Sequence, residues 1–368
     1  MTPLRAALMG LWLASSCLCA NAQLKIGQTV GVTGAVAATV KEASLGAQLY
    51  LDAVNAKGGV GGEKIELITL DDKFDTQLAL TNAKELIENR GVLALFMTRG
   101  TPHTEGIIPL LDKYGIPLLA PSTGAMVLHQ PLKKHVFNVR ATYQREAERA
   151  VAHLAATGVS RMAIIHVDDS FGADGLEGTQ KGLAAAKLSA VAVAKFDRSK
   201  PDFSQIAPSI AKLAPQAVMI VGSGTAVVDA IKALREAGST AQLVTLSNNA
   251  SSGFVKLLGD QARGVIVSQV LPQSPNYAVV QEAASLAKAK DLLDVSPAML
   301  EGFVSAKVLV EALRRAGPKP TREKLQAALE GISRFDLGGL NLSFSTTDHT
   351  GLDFADLSII TAAGKFRR

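Results

Sequence analysis

The amino-acid sequence predicts an α/β protein built as two open lobes in tandem, each around a parallel sheet. Short β-branched apolar runs alternate with helical patterns at intervals of about 25–30 residues, the rhythm of strand–helix–strand units. The alternation runs through once, pauses near Phe137–Val139, and begins again. With 368 residues, 48% of them apolar, the chain is long enough to bury two cores. No low-complexity segment or long linker separates the halves, so the lobes are expected to be closely coupled.

In the first lobe, Leu24–Thr29 reads as a strand and Val40–Ala56 as a helix with Leu45, Leu49 and Ala53 on one face. Lys57-Gly58-Gly59 ends that helix, because glycine tolerates the left-handed backbone of a helix C-terminus. Lys64–Leu70 is the second strand, Asp75 caps a helix running to Arg90, Val92–Met97 is the third strand, a helix runs to Tyr114, and Ile116–Ala120 is the fourth strand.

The second lobe repeats the pattern. Helix Arg145–Thr157, strand Met162–Val167, helix Gly172–Ala186, strand Val191–Lys195 and helix Phe203–Leu213 come first. Strand Ala217–Val221, helix Ala226–Ala237, strand Gln242–Leu246, a short helix and strand Gly264–Val270 follow. The remainder differs: helices over Tyr277–Leu293, Pro297–Ala316 and Thr321–Ile332, then β segments at Leu340–Phe344 and Phe354–Thr361.

Composition excludes several classes. Proline (14), glycine (32) and cysteine (2) are not in excess, so a disordered, collagen-like or disulfide-stapled chain is ruled out. The net charge of +5 is spread along the chain with no basic run of five, so nucleic acid is not an expected partner. Residues 1–22 combine Arg5, an uncharged apolar stretch and a small-residue Ala20-Asn21-Ala22 site, the pattern of a secretory signal peptide cleaved after Ala22. The apolar stretch is shorter than the ~20 residues a membrane span needs. Cleavage removes Cys17, Cys19 and Trp12, leaving an exported chain without cysteine or tryptophan.

In open parallel sheets, ligands bind beyond the carboxyl ends of the strands. Gly100-Thr101-Pro102 and Pro121-Ser122-Thr123-Gly124 follow strands of the first lobe; their hydroxyls and free N–H groups suit a carboxylate. As ordinary turn residues they need no ligand at all. The second lobe offers Asp168-Asp169-Ser170-Phe171-Gly172, Gly222-Ser223-Gly224-Thr225 and Ser247-Asn248-Asn249. Phe171, aromatic at a strand end, reads as a cleft lid. Gly222-Ser223-Gly224 opens like a dinucleotide fingerprint, but Val227 stands at the third glycine position.

Enzyme constellations are mostly absent. Thiol catalysis is out, no serine sits in a G-x-S-x-G elbow, and the six histidines show no metal-binding spacing. Asp71-Asp72 and Asp168-Asp169 are better read as helix caps than as acid–base pairs. No cofactor or metal is expected.

Several segments together resemble the leucine/isoleucine/valine-binding proteins of bacterial ABC transporters, periplasmic binding proteins of type I fold. They are Val54-Asn55-Ala56-Lys57-Gly58-Gly59-Val60 with Gly62, Ile65–Asp72, Gly115-Ile116-Pro117-Leu118-Leu119-Ala120-Pro121, Phe171-Gly172 and Asp348-His349-Thr350-Gly351. The likeness runs over essentially the whole chain after residue 22. It implies two Rossmann-like, doubly wound lobes joined by a three-crossing hinge near Arg140–Tyr143, Ser268–Leu271 and Leu352–Asp356. One lobe would comprise 23–141 plus 270–353, the other 142–269 plus 354–368.

By the same resemblance, Thr101, Pro102, Ser122, Thr123 and Gly124 would hold a ligand carboxylate, with Phe171, Ser223 and Asn248 facing it from the other lobe. Two positions depart from the family: Ser223 where an aromatic is common, and Asn248 where an acid pairs with the ligand ammonium. Either the ligand lacks an ammonium or Asp168 or Asp169 compensates. The implied function is a monomeric periplasmic receptor that delivers a small carboxylate to an inner-membrane ABC permease. The alternative is a periplasmic sensor presenting its bound state to a membrane signalling partner.

Overall fold

A computed structural model describes residues 23–368; the expected signal peptide and its cleavage site at Ala22 lie outside the described residues. The elements run, in order, β1 (Gln23–Val30), α1 (Ala37–Ala56), β2 (Lys64–Asp71), α2 (Thr76–Glu88), β3 (Ala94–Phe96), α3 (Thr101–Tyr114), β4 (Leu118–Leu119) and β5 (Val136–Phe137). Then come α4 (Tyr143–Ala156), β6 (Met162–Val167), α5 (Ser170–Ala185), β7 (Ala190–Phe196), α6 (Ile206–Lys212), β8 (Ala217–Val221), α7 (Thr225–Glu236), β9 (Gln242–Thr245), α8 (Ser252–Leu258) and β10 (Ile266–Gln269). The chain closes with α9 (Ala278–Lys288), α10 (Pro297–Ala316), α11 (Arg322–Glu330), β11 (Phe335–Asp336), β12 (Asn341–Leu342), β13 (Asp356–Ile360) and β14 (Phe366–Arg367).

The strands form two large sheets and a two-stranded β11-β12 pair. One has the order β2-β1-β3-β4-β5 and is parallel throughout; the other has the order β14-β13-β10-β9-β8-β6-β7, with β13 and β14 antiparallel at one edge. Helices cover both faces of the first sheet. Its two apolar clusters include α1, α9, α10 and α11 on one side and α2 and α3 on the other. The second sheet's core draws on β6 and β8, every residue of which is buried, as expected of strands covered on both faces.

Several strands and helices are shorter than expected. Pro117 lacks the N–H a ladder needs, and its carbonyl accepts from Leu95 N at 2.9 Å, so β4 contracts to two residues. β3 likewise covers 94–96 rather than 92–97, and α9 stops at Lys288.

The buried face of α1 corrects the expected one. Leu49 is buried as expected, but Leu45 is 41% exposed, and the buried face runs instead through Val40, Ala43, Gly46, Ala47, Leu51 and Val54. The reason is a close backbone approach to α10. A Cβ on Gly46 would stand 1.8 Å from Met299 O, and one on Gly302 1.8 Å from Ala43 O. Small residues set this contact, so counting large apolar side chains selects the wrong stripe.

Candidate functional site

The carboxyl ends of the two sheets face each other. From the first lobe, the turn after β3 delivers Arg99, Gly100 and Thr101. Gly100 adopts φ +92° at the N-cap of α3, which aims the first turn of that helix at the cleft. The turn after β4 delivers Ser122, Thr123 and Gly124. The hydroxyls of Thr101 and Thr123 lie 2.7 Å apart and both residues are buried. Pro102 occupies the second helical position of α3 and lines the cleft mouth. Gly124 is where backbones converge: its carbonyl accepts from Tyr143 N at 2.8 Å, and a Cβ there would meet Ala141 O at 2.6 Å.

The second lobe contributes the facing wall. Asn248 is buried, but its side-chain amide donates to Gly222 O at 2.9 Å and to Ser223 Oγ at 3.0 Å, within its own lobe. What it turns toward the first lobe is its main-chain carbonyl, which accepts from Arg99 Nη2 at 2.5 Å. Ser223 lines the cleft mouth. Phe171 is the second residue of α5, buried against Tyr143 with ring centroids 4.7 Å apart. Thr101, Pro102, Ser122 and Thr123 therefore face Ser223 and Asn248 across the interlobe space, whereas Phe171, expected as a cleft lid, packs with Tyr143 in the second lobe's core.

The acidic pairs behave as capping groups. Asp169 accepts from Phe171 N and Gly172 N at 3.0 and 3.1 Å and pairs with Arg198. Asp168 pairs with Lys195 at 2.8 Å. Asp71 and Asp72 accept from Lys73 N and Phe74 N, both at 2.9 Å. Those bonds hold Lys73 and Phe74 in left-handed backbone, at φ 52° and 62°. Phe74 thereby reaches the mouth, where its ring stacks on His103 at 4.4 Å and lies under Arg198 of the other lobe at 5.0 Å. The cavity there is about 640 Å³, lined among others by Phe74, Pro102, Asp168, Asp169, Arg198 and Ser223.

Charged residues missed in the sequence analysis lie buried behind these loops. Arg99 donates to Ser122 Oγ at 3.1 Å as well as to Asn248 O. Ser122 Oγ donates to Glu301 at 3.2 Å, and Arg140 lies between Glu301 and Glu146. Burial pushes the Arg99 pKa down, while the two glutamates hold that of Arg140 above its ordinary value against the opposing effect of its burial. Ser247 N and Ser268 Oγ complete the shell of Glu146. The only sequence signal for Arg99 is a lone charge two residues after the apolar run Leu93–Met97.

Further bonds join the lobes: Thr225 N to Ala35 O at 3.0 Å, Thr39 to Ser251 at 2.9 Å, and Ser252 N and Gly253 N to the Glu42 carboxylate. Among the described residues, no group of three or more His, Cys, Asp or Glu side chains is arranged to hold a metal ion. No described helix is long and apolar enough to cross a membrane.

A family model described as periplasmic binding protein matches residues 23–357. Leu/Ile/Val-binding protein homolog 8 of Brucella suis is 25% identical over 221 residues, covering 57% of this chain and 55% of that protein. The match thus spans about half of that relative's length. Two solved structures superpose along nearly the whole chain. A substrate-binding periplasmic protein from Ralstonia solanacearum is 30% identical with a TM-score of 0.84, covering 94% of this chain and 99% of that one. A possible leucine/isoleucine/valine-binding protein from Rhodopirellula baltica is 25% identical with a TM-score of 0.86, covering 95% and 97%.

Proposed function

The chain belongs to the periplasmic binding protein family, and on that premise we propose that it is the solute-binding component of an ABC importer. Its ligand is a small carboxylate, an amino acid or a related organic or aromatic acid, enclosed in the interlobe cleft by hinge closure. Lobes of 23–141 plus 270–353 and 142–269 plus 354–368 close on each other, and the monomeric closed form is what a permease reads. The role is binding rather than catalysis.

The observation that carries this reading is the buried hydroxyl pair of Thr101 and Thr123 at the N-terminus of the 14-residue helix α3, beside Ser122 and opposite the second lobe. A helix N-terminus with free N–H groups and hydroxyl donors favours an anion. The bonds that already join the lobes support closure as the motion that buries it.

A thermal-shift screen of the purified protein against amino acids, aromatic acids and small dicarboxylates tests the reading. Branched-chain amino acids form one arm, since the Brucella and Rhodopirellula proteins are named for them. A ligand that binds only the folded form raises the melting temperature. At least one carboxylate is expected to do so, and a flat response to all of them overturns the proposal.

A further inference from the structure

We propose that Arg99 is the counter-charge for the ligand's carboxylate and that the site selects acids without an α-ammonium group. The inference rests on the receptor reading above and narrows its ligand.

Arg99 is 3% exposed, and both of its hydrogen-bond acceptors are neutral: Ser122 Oγ at 3.1 Å and Asn248 O at 2.5 Å. Among the described residues, no carboxylate comes within 4.0 Å of its guanidinium to form an ion pair. The two nearby glutamates are drawn elsewhere. Glu146 is held by Arg140, Ser247 N and Ser268 Oγ, and Glu301 shares Oε1 between Arg140 at 3.4 Å and Ser122 at 3.2 Å. Arginine does not shed its proton, so a buried guanidinium without its own anion is costly. A ligand carboxylate meets that need, with the planar fork geometry a guanidinium offers.

The same inventory argues against an ammonium on the ligand. Asn248 spends its amide hydrogens on Gly222 O and Ser223 Oγ and can offer an ammonium only a neutral amide oxygen, not a counter-charge. Asp168 is paired with Lys195, and Asp169 with Arg198 and two N–H groups of α5. Among the described residues, an ammonium beside Arg99 would meet a second guanidinium, Arg140, and within that cluster only the second oxygen of Glu301 lacks a partner; the cavity's other carboxylates without a cation, Asp75 and Asp197, lie out at the mouth. The remainder of the acid extends toward the mouth, where Phe74 and Pro102 offer apolar surface.

Isothermal titration calorimetry with leucine, its 2-oxo analogue 4-methyl-2-oxopentanoate, benzoate and leucinamide tests this on the wild type and on Arg99→Lys, Arg99→Met and Glu301→Gln. The 2-oxo acid or benzoate is expected to bind roughly tenfold or more tightly than leucine, and leucinamide to give no binding heat. Arg99→Met should lose roughly ten- to a hundredfold in acid affinity and Arg99→Lys less, with melting of each unliganded variant showing that it is folded. Leucine binding at least as tightly as both acids, or acid affinity unchanged in folded Arg99→Met, overturns the inference and leaves the receptor reading standing. Tight leucine binding lost in Glu301→Gln does the same by giving the ammonium its acid. Silence from all four probes overturns the inference, whereas the receptor reading falls only if the wider thermal-shift panel is silent too.

Discussion

Arg140 Nη1 lies 3.4 Å from Oε1 of Glu301, so the segment between β5 and α4 is tied to helix α10. Its Nη2 meanwhile donates to Glu146 of α4. All three residues are buried, and removing one partner of such a cluster leaves a charge uncompensated. Glu146→Gln is therefore expected to lower stability by about 3–5 kcal/mol, read from the urea or thermal transition. A loss below 1 kcal/mol would mean that Glu301 alone balances Arg140.

Gly224 is where the second lobe docks on the first. It adopts φ 58° at the N-cap of α7, and a Cβ there would stand 1.9 Å from Ala35 O. Thr225 N donates to that same carbonyl at 3.0 Å. Gly224→Ala should keep both lobes folded but hold them apart, weakening every ligand in common. Small-angle scattering at saturating ligand checks this: a radius of gyration equal to that of the liganded wild type contradicts it.

The Gly222-Ser223-Gly224 stretch shows what was legible in the sequence and what was not. The strand–helix rhythm marked the turn, because β8 is a continuous apolar run and α7 a local pattern of period 3.6. The reason for Gly224 lay in Ala35, far away in the chain and on the other lobe. Gly46 and Gly302 follow the same logic, since each is fixed by a backbone from a distant helix. Hydroxyl-bearing loops were found because they follow strands, whereas Arg99, Arg140 and Glu301 were not. A buried charge is recognisable only by its partners, and Ser122, Asn248 and Glu146 come from three separate stretches of chain.

Burial pushes the carboxyls of Asp72 and Asp174 up to about 6. A raised carboxyl pKa means that the native state keeps its proton after the unfolded chain has lost it. Between about pH 4 and 6 each group's contribution to stability therefore falls as pH rises. His129 works in the opposite direction: burial and then Arg140 push it down to about 4, so its contribution is lost as pH falls from about 6.5 to 4. The two effects offset in the wild type. Asp72→Asn, which keeps an oxygen to accept from Phe74 N and turns an amide N–H donor toward the Thr29 hydroxyl, should raise stability above pH 6 relative to pH 4 by of the order of 1–3 kcal/mol. Melting temperatures of wild type and variant at the two pH values measure it, and parallel profiles would place the Asp72 titration outside this window.

Thr101 and Thr123 should act on ligand affinity as one unit. Their oxygens are 2.7 Å apart, so one hydroxyl proton is used between them and a single proton remains for a carboxylate. Replacing either residue by alanine removes both the internal bond and the orientation of the surviving hydroxyl. Thr101→Ala and Thr123→Ala are each expected to cost about 1.5–3 kcal/mol of binding, the range for a hydrogen bond to a charged group. The double variant should then lose little more than either single one, because the second substitution removes a donor already misaligned. The cycle is closed by calorimetry with whichever acid the thermal-shift screen selects. A coupling energy of about 1 kcal/mol or more is expected, whereas additivity to within roughly 0.3–0.5 kcal/mol would mean that the two hydroxyls meet the ligand independently.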